Sequence, residues 1–269
     1  MSYENTPMAR HSRASGNPLL DRAESKWVPA HGFKHAGAGF AGTTLGAIVL
    51  AVVAGCAAMS GDRGPDVPAP TYHVGDRWVY AAEDGFRSKA EWVETHEVTG
   101  IGLNGITVRV TQRGDGIDSV RTEQWAAPGQ VTVGALYDNE TRRFAMPLQR
   151  YNFPLVPGRV WNQWVENIDD TTNREGAINH YVVVNGWEKV TTPAGTFDAI
   201  LLHVVMRLDD GEFWRWPTTC DDLVWYAPAV RAVVRVKRDA GYVERGGPDV
   251  GSVWTQHAML ELREFAPGT

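Results

Sequence analysis

Beyond Thr71 the apolar positions recur with a period of two rather than 3.6. Segments 77–80, 90–98, 106–111, 119–125, 160–165, 179–184, 199–206, 223–226, 232–237 and 252–265 each carry β-branched and aromatic residues in partial alternation, the mark of strands with one buried face. The breaks between them include Asn104-Gly105, Asp115-Gly116, Asn185-Gly186 and Asp210-Gly211, pairs that tolerate the positive φ of tight hairpins. No long amphipathic helix is visible. The pattern predicts an all-β domain: an antiparallel meander of about ten or more strands curled into a half-barrel, barrel or sandwich.

The N-terminal part follows another rule. No charged residue occurs from Ala36 to Gly61, Lys34 precedes the run, and its strongly apolar core, 45–54, is ten residues long. A positive flank, a short apolar stretch and a small-residue exit describe a secretory signal peptide; a membrane span needs about 20 residues. The exit reads Val53-Ala54-Gly55-Cys56 and resembles the lipobox of bacterial lipoprotein precursors. That resemblance implies cleavage between Gly55 and Cys56 and acylation of Cys56, so that acyl chains hold the protein to a membrane. It also implies transport to the outer membrane, facing the periplasm, because Ala57 rather than Asp follows the cysteine. Residues 1–32 show no period of either kind, which places the translation start later, with Val28 giving a leader of 28 residues. The expected organisation is a leader over 1–55, a lipidated Gly/Pro-rich tether over 56–70, extended and poorly ordered, and one β domain over 71–269.

Composition narrows the function classes. The 269 residues carry 26 Lys+Arg against 32 Asp+Glu, a net charge of −6; without the leader the balance is 21 against 29, or −8. An acidic chain with a pI near 5.8 is not a phosphate-tracking nucleic-acid binder. Two cysteines, Cys56 and Cys220, provide neither a disulfide scaffold nor a Cys-rich zinc module. Acylation of Cys56 leaves Cys220 as the one remaining thiol.

Several segments of the β domain resemble a family of exported bacterial β proteins of unknown function. They are Gly75-Asp76-Arg77-Trp78, Phe153-Pro154-Leu155, Gly158-Arg-Val-Trp161, 190–200 and 224–235. The resemblance spans most of 72–238 and implies the curved antiparallel half-barrel of the lipoprotein carriers LolA and LolB. Arg231 stands where the family carries glycine, which bears on the turn geometry there. The family has no chemistry to transfer.

Local motifs for chemistry are weak. Gly100-Ile-Gly102-Leu-Asn-Gly105 spells a dinucleotide fingerprint but leads into a strand instead of a helix, so it reads as a hairpin turn. Arg113-Gly114-Asp115 reads the same way. The histidines at 73, 96, 180, 203 and 257 have no metal-ligand spacing. The pairs Asp169-Asp170, Asp209-Asp210 and Asp221-Asp222 read as solvated hairpin ends. No nucleophile motif is present, and neither catalysis, a cofactor nor a metal is expected.

Tryptophan is the unexplained excess: 11 in the chain, ten of them beyond the leader. Trp214 and Trp216, two apart on an expected short strand ending at Pro217, are the candidate ligand-facing residues; a buried structural role is the alternative. The functional expectation is a membrane-anchored, non-enzymatic lipoprotein binding an apolar or amphiphilic molecule on a concave β surface. The competing expectation is a scaffold for an envelope complex that uses loops or a sheet edge. An interior cavity of several hundred Å³ favours binding, and a filled interior favours the scaffold.

Overall fold

A computed structural model describes residues 64–85, 89–137, 140–246 and 251–269. The leader with Gly55, and the tether from Cys56 to residue 63, lie outside the described residues. The β domain is an all-β closed barrel of twelve antiparallel strands, each paired with its neighbours in sequence. In order they are β1 (Arg77–Asp84), β2 (Ala90–Gly102), β3 (Gly105–Gly114), β4 (Ile117–Ala127), β5 (Gln130–Gly134), β6 (Arg142–Gln149), β7 (Val160–Asp169), β8 (Arg174–Thr192), β9 (Gly195–Asp209), β10 (Thr218–Ala227), β11 (Ala232–Val243) and β12 (Ser252–Ala266). The ring closes where β1 meets β12, in register from Arg77↔Ala266 to Asp84↔Ala258. Closure selects the barrel over the half-barrel and the sandwich.

All ten expected strands are present. The two additions, β5 and β6, carry weak signals: β5 is five residues long, and β6 contains Pro147 and pairs with β7 only at Arg142 to Phe144. Asn104-Gly105 closes the β2–β3 hairpin as its composition predicts. Gly105 has φ of +99°, and a Cβ there would meet the Trp125 carbonyl oxygen at 2.1 Å. Asn185-Gly186 corrects the expectation. Trp187 to Val190 continue in register with Ile200 to Phe197, so the pair makes a bulge inside one 19-residue strand rather than a turn.

Alternation sorts the side chains by face. Outward residues form directly opposed ion pairs, among them Arg109–Glu97 at 2.7 Å, Lys189–Asp198 at 2.7 Å and Arg235–Glu261 at 2.6 Å. Such a surface faces water, since cationic side chains on a lipid face cost about 2–4 kcal/mol each at mid-bilayer. The same alternation splits the acidic pairs, correcting the solvated reading. Asp221 lies outside against His203, while its neighbour Asp222 is buried against Arg238 at 2.8 Å. Asp169 is buried and accepts from the Thr171 N–H and the Thr172 hydroxyl.

In an up-and-down barrel alternate connections share an end. The β2–β3, β4–β5, β6–β7, β8–β9 and β10–β11 connections lie at one end with residues 64–76 and the C-terminus. Part of the expected tether docks here: Val67 is 1 % exposed and exchanges two backbone hydrogen bonds with Leu155 (2.9 and 2.8 Å). Tyr72 packs edge-on against Trp78 and Trp125 with ring centroids 5.8 and 5.6 Å apart. Asp76 is fully buried and gathers the Arg231 guanidinium at 2.5 Å, the Gly268 N–H at 2.8 Å and the His73 N–H at 2.8 Å. A Cβ at Gly268 would meet the Val74 carbonyl oxygen at 2.2 Å, so the C-terminus passes this point only as glycine. Arg231 adopts the left-handed conformation a glycine would take, φ 57°, and its N–H bonds Pro228 O at 3.1 Å. The turn forms with arginine in place, and its side chain joins Asp76 in a plug made of residues 64–76, the turn at 228–231 and the C-terminus.

Removing Asp76 leaves Arg231 and two backbone donors facing a buried void. Asp76→Ala is expected to lower unfolding free energy in urea by about 3–5 kcal/mol, the range for breaking a buried pair. Arg231→Gly is expected to cost less, because glycine relieves the positive φ.

Candidate functional site

Twelve strands enclose more space than their own side chains fill, and the interior holds a cavity of about 550 Å³. The plug covers one end. Towards the other end the lining reaches the terminal residues of strands, Asp84 at the end of β1 and Ala90 and Ile117 at the starts of β2 and β4. The wall has two characters. Val204, Met206, Val224, Val236, Ala258 and Leu260 make the β9–β12 sector mostly apolar, interrupted by Arg238 and Gln256; Glu94, His96, Gln112, Arg121 and Glu123, from β2 to β4, make the facing sector polar.

The polar sector is a bonded network. Glu94 accepts from Gln112 Nε2 at 2.6 Å and Trp92 Nε1 at 3.4 Å, and its other oxygen lies 2.6 Å from His96 Nε2. Glu123 accepts from Trp125 Nε1 at 3.0 Å and from Arg150 at 3.1 Å. Burial opposes ionisation of Glu94, but the hydrogen bond and charge of His96, then Arg121 and Gln112, outweigh it and hold the carboxyl near 2. For Glu123 burial is likewise outweighed, by Arg150 and then Arg121, again to about 2. Both glutamates are therefore anions at neutral pH.

Arg121 is the exception. Its side chain is only 12 % exposed, its nearest carboxylate oxygens are 3.5 and 3.8 Å away, and neither Nε nor its first terminal nitrogen has a hydrogen-bond partner. His180, on β8, is 2 % exposed, and its Nδ1 has no partner either. Burial, helped by the Arg150 charge, pushes that imidazole down to about 3, so it is neutral. Burial raises the Tyr151 phenol to about 12 and the Tyr72 phenol further still; both stay protonated.

The two candidate tryptophans lie elsewhere. Residues 213 and 214 form a turn and Arg215 a single bridge to Glu244 in place of the expected strand, because Pro217 and Gly211 bracket too short a run to form a longer ladder. Trp214 packs edge-on against Tyr242 with centroids 5.4 Å apart, and Arg245 sits 4.3 Å over Trp216. Both indoles are 40 % or more exposed, Phe213 is 83 % exposed, and none of the three lines the cavity. They stand at the end opposite the plug. Cys220 is buried inside the barrel.

The chain matches no protein-family model and no curated protein. Two solved structures are similar. One is a candidate lipoprotein from Parabacteroides distasonis, 14 % identical over 74 % of this chain and 97 % of its own, with a TM-score of 0.44. The other is a candidate exported protein with a YmcC-like fold from Bacteroides fragilis, 12 % identical over 75 % of this chain and 98 % of its own, with a TM-score of 0.46.

The interior residues were hard to find from sequence. His96 and His180 were visible only as unclustered histidines, and Arg121 carried no signal beyond its place in an alternating run. Only the closing of β2, β3, β4 and β8 around one space brings them together.

His180 gives the site a pH signature. The unfolded imidazole takes up a proton near pH 6.5, whereas the folded one refuses it until about 3. The unfolded state therefore binds more protons in that window, and stability falls as pH drops, by about 1.4 kcal/mol per unit for one proton. Urea unfolding of the wild type and His180→Gln is expected to show this slope between about pH 6 and pH 4.5 in the wild type. The slope should be largely missing in the variant; parallel curves would remove His180 as the source.

Proposed function

We propose that the protein is a lipid-anchored envelope protein that binds a small amphiphile inside its barrel without transforming it. The single observation that carries the binding reading is the cavity itself, about 550 Å³ with an apolar wall facing a polar one. That size lies within the range of pockets that hold drug-sized molecules. Anchoring rests on the sequence: the apolar run, Val53-Ala54-Gly55-Cys56 and Ala57 support acylation at Cys56 and residence at the outer membrane, facing the periplasm. The exposed Phe213, Trp214 and Trp216 form an apolar surface at the end opposite the plug, where an amphiphile would be met before entering. The scaffold reading draws on the same surface, since exposed aromatic patches also mark protein contacts.

Purification from native membranes, followed by mass spectrometry of small molecules released on denaturation, tests binding. An amphiphile recovered in near-stoichiometric amount is the expected result. Trp214→Ala/Trp216→Ala should reduce its amount while moving Tm by no more than a few degrees. An empty barrel that co-purifies with an envelope protein would favour the scaffold.

Cys56→Ser is expected to abolish incorporation of an alkynyl fatty acid during growth and to leave precursor or release soluble protein. Label persisting in the variant would reject the lipobox, and sedimentation of the wild type with inner-membrane markers would reject the outer-membrane assignment.

A further inference from the structure

Arg121 is the group in the cavity whose hydrogen-bonding capacity is least used. A guanidinium has five N–H donors. Here it makes only two long ion-pair contacts, 3.5 Å to Glu123 and 3.8 Å to Glu94. The carboxylates on either side are already occupied: Glu94 by His96, Gln112 and Trp92, Glu123 by Arg150 and Trp125. The polar wall thus holds donors in reserve and no carboxylate to spare. The neighbouring phenol of Tyr151 is protonated and can donate as well. A buried donor without an acceptor costs about 1–3 kcal/mol, more when it is charged, and a ligand oxygen would remove that cost.

Resting on the binding reading above, we infer that the bound amphiphile carries a head group that accepts hydrogen bonds, a carboxylate or an ester carbonyl, and that Arg121 holds it while the β9–β12 wall holds the apolar body. A head group rich in donors, such as an ammonium, meets the unused guanidinium and is repelled. The two glutamates and two arginines of the network cancel in charge, so they provide no net field to draw a cation in.

The test uses the full chain without its leader and the apolar fluorophore diphenylhexatriene, which has no head group. Its fluorescence should rise on binding to the wild type and stay low with Ala258→Trp, which fills the apolar wall. Dodecanoic acid or methyl dodecanoate should displace it about tenfold or more better than dodecylamine, roughly the worth of one charge-assisted hydrogen bond. Arg121→Gln should still bind the fluorophore, which reports an intact cavity, and lose that preference. Arg121→Lys, which keeps the charge but not the fork, should lose part of it. Equal displacement by the amine, or an unchanged preference in Arg121→Gln, overturns the head-group assignment and leaves cavity binding standing. Fluorescence that does not rise with the wild type, or rises equally with Ala258→Trp, overturns both.

Discussion

Closing twelve strands into one ring is the constraint from which the other features follow. About eight strands enclose a space that side chains just fill; twelve enclose more. The surplus is handled differently along the barrel. At one end Val67, Tyr72 and Trp78 fill it, held by Asp76, Arg231 and the Gly268 N–H. In the middle it stays open, lined by apolar side chains from β9 to β12 on one side and polar ones from β2 to β4 on the other.

Charge inside the barrel is tolerated because it is matched. Glu94, Glu123 and Asp222 each face a cation, at 3.8 Å or less for Arg121 and Glu94, 3.1 Å for Arg150 and Glu123 and 2.8 Å for Arg238 and Asp222. Isolated buried carboxylates would take up protons instead. Removing one partner of the close pairs, Arg150–Glu123 or Arg238–Asp222, would leave a buried charge unmatched, whereas Arg121 stands at longer range from both glutamates. Rigidity on one side and adaptable packing on the other suit a site that fixes a head group and accepts variation in a tail.

Local chemistry was legible where it acts locally. Strand periodicity, the Asn104-Gly105 turn and the break at Asp210-Gly211 could be read directly. The same dipeptide at Asn185-Gly186 serves as a bulge, because the residues beyond it had a partner strand waiting, which no local window reveals. Adjacent acids such as Asp221 and Asp222 looked alike in sequence and were separated by the pleat. The cavity was least legible, since its lining draws on strands from β1 to β12 together with Arg150 from a connection. The segments that resemble exported β proteins, including Gly75-Asp76, Phe153-Pro154-Leu155 and the turn at Arg231, converge on the plug. They report how the barrel is stoppered rather than what it holds.

Pairing β1 with β12 also removes something. An open sheet ends in two strands with unpaired backbone donors and acceptors, where another chain can add itself as a further strand. Here both outer strands are consumed by each other from Arg77↔Ala266 to Asp84↔Ala258. Strand addition at the β1–β12 seam is therefore closed, and the unpaired backbone left in the ring lies between β6 and β7, which pair only from Arg142 to Phe144. The same closure protects the two terminal strands from edge-to-edge aggregation, and leaves the β6–β7 gap as the place where another backbone could still pair.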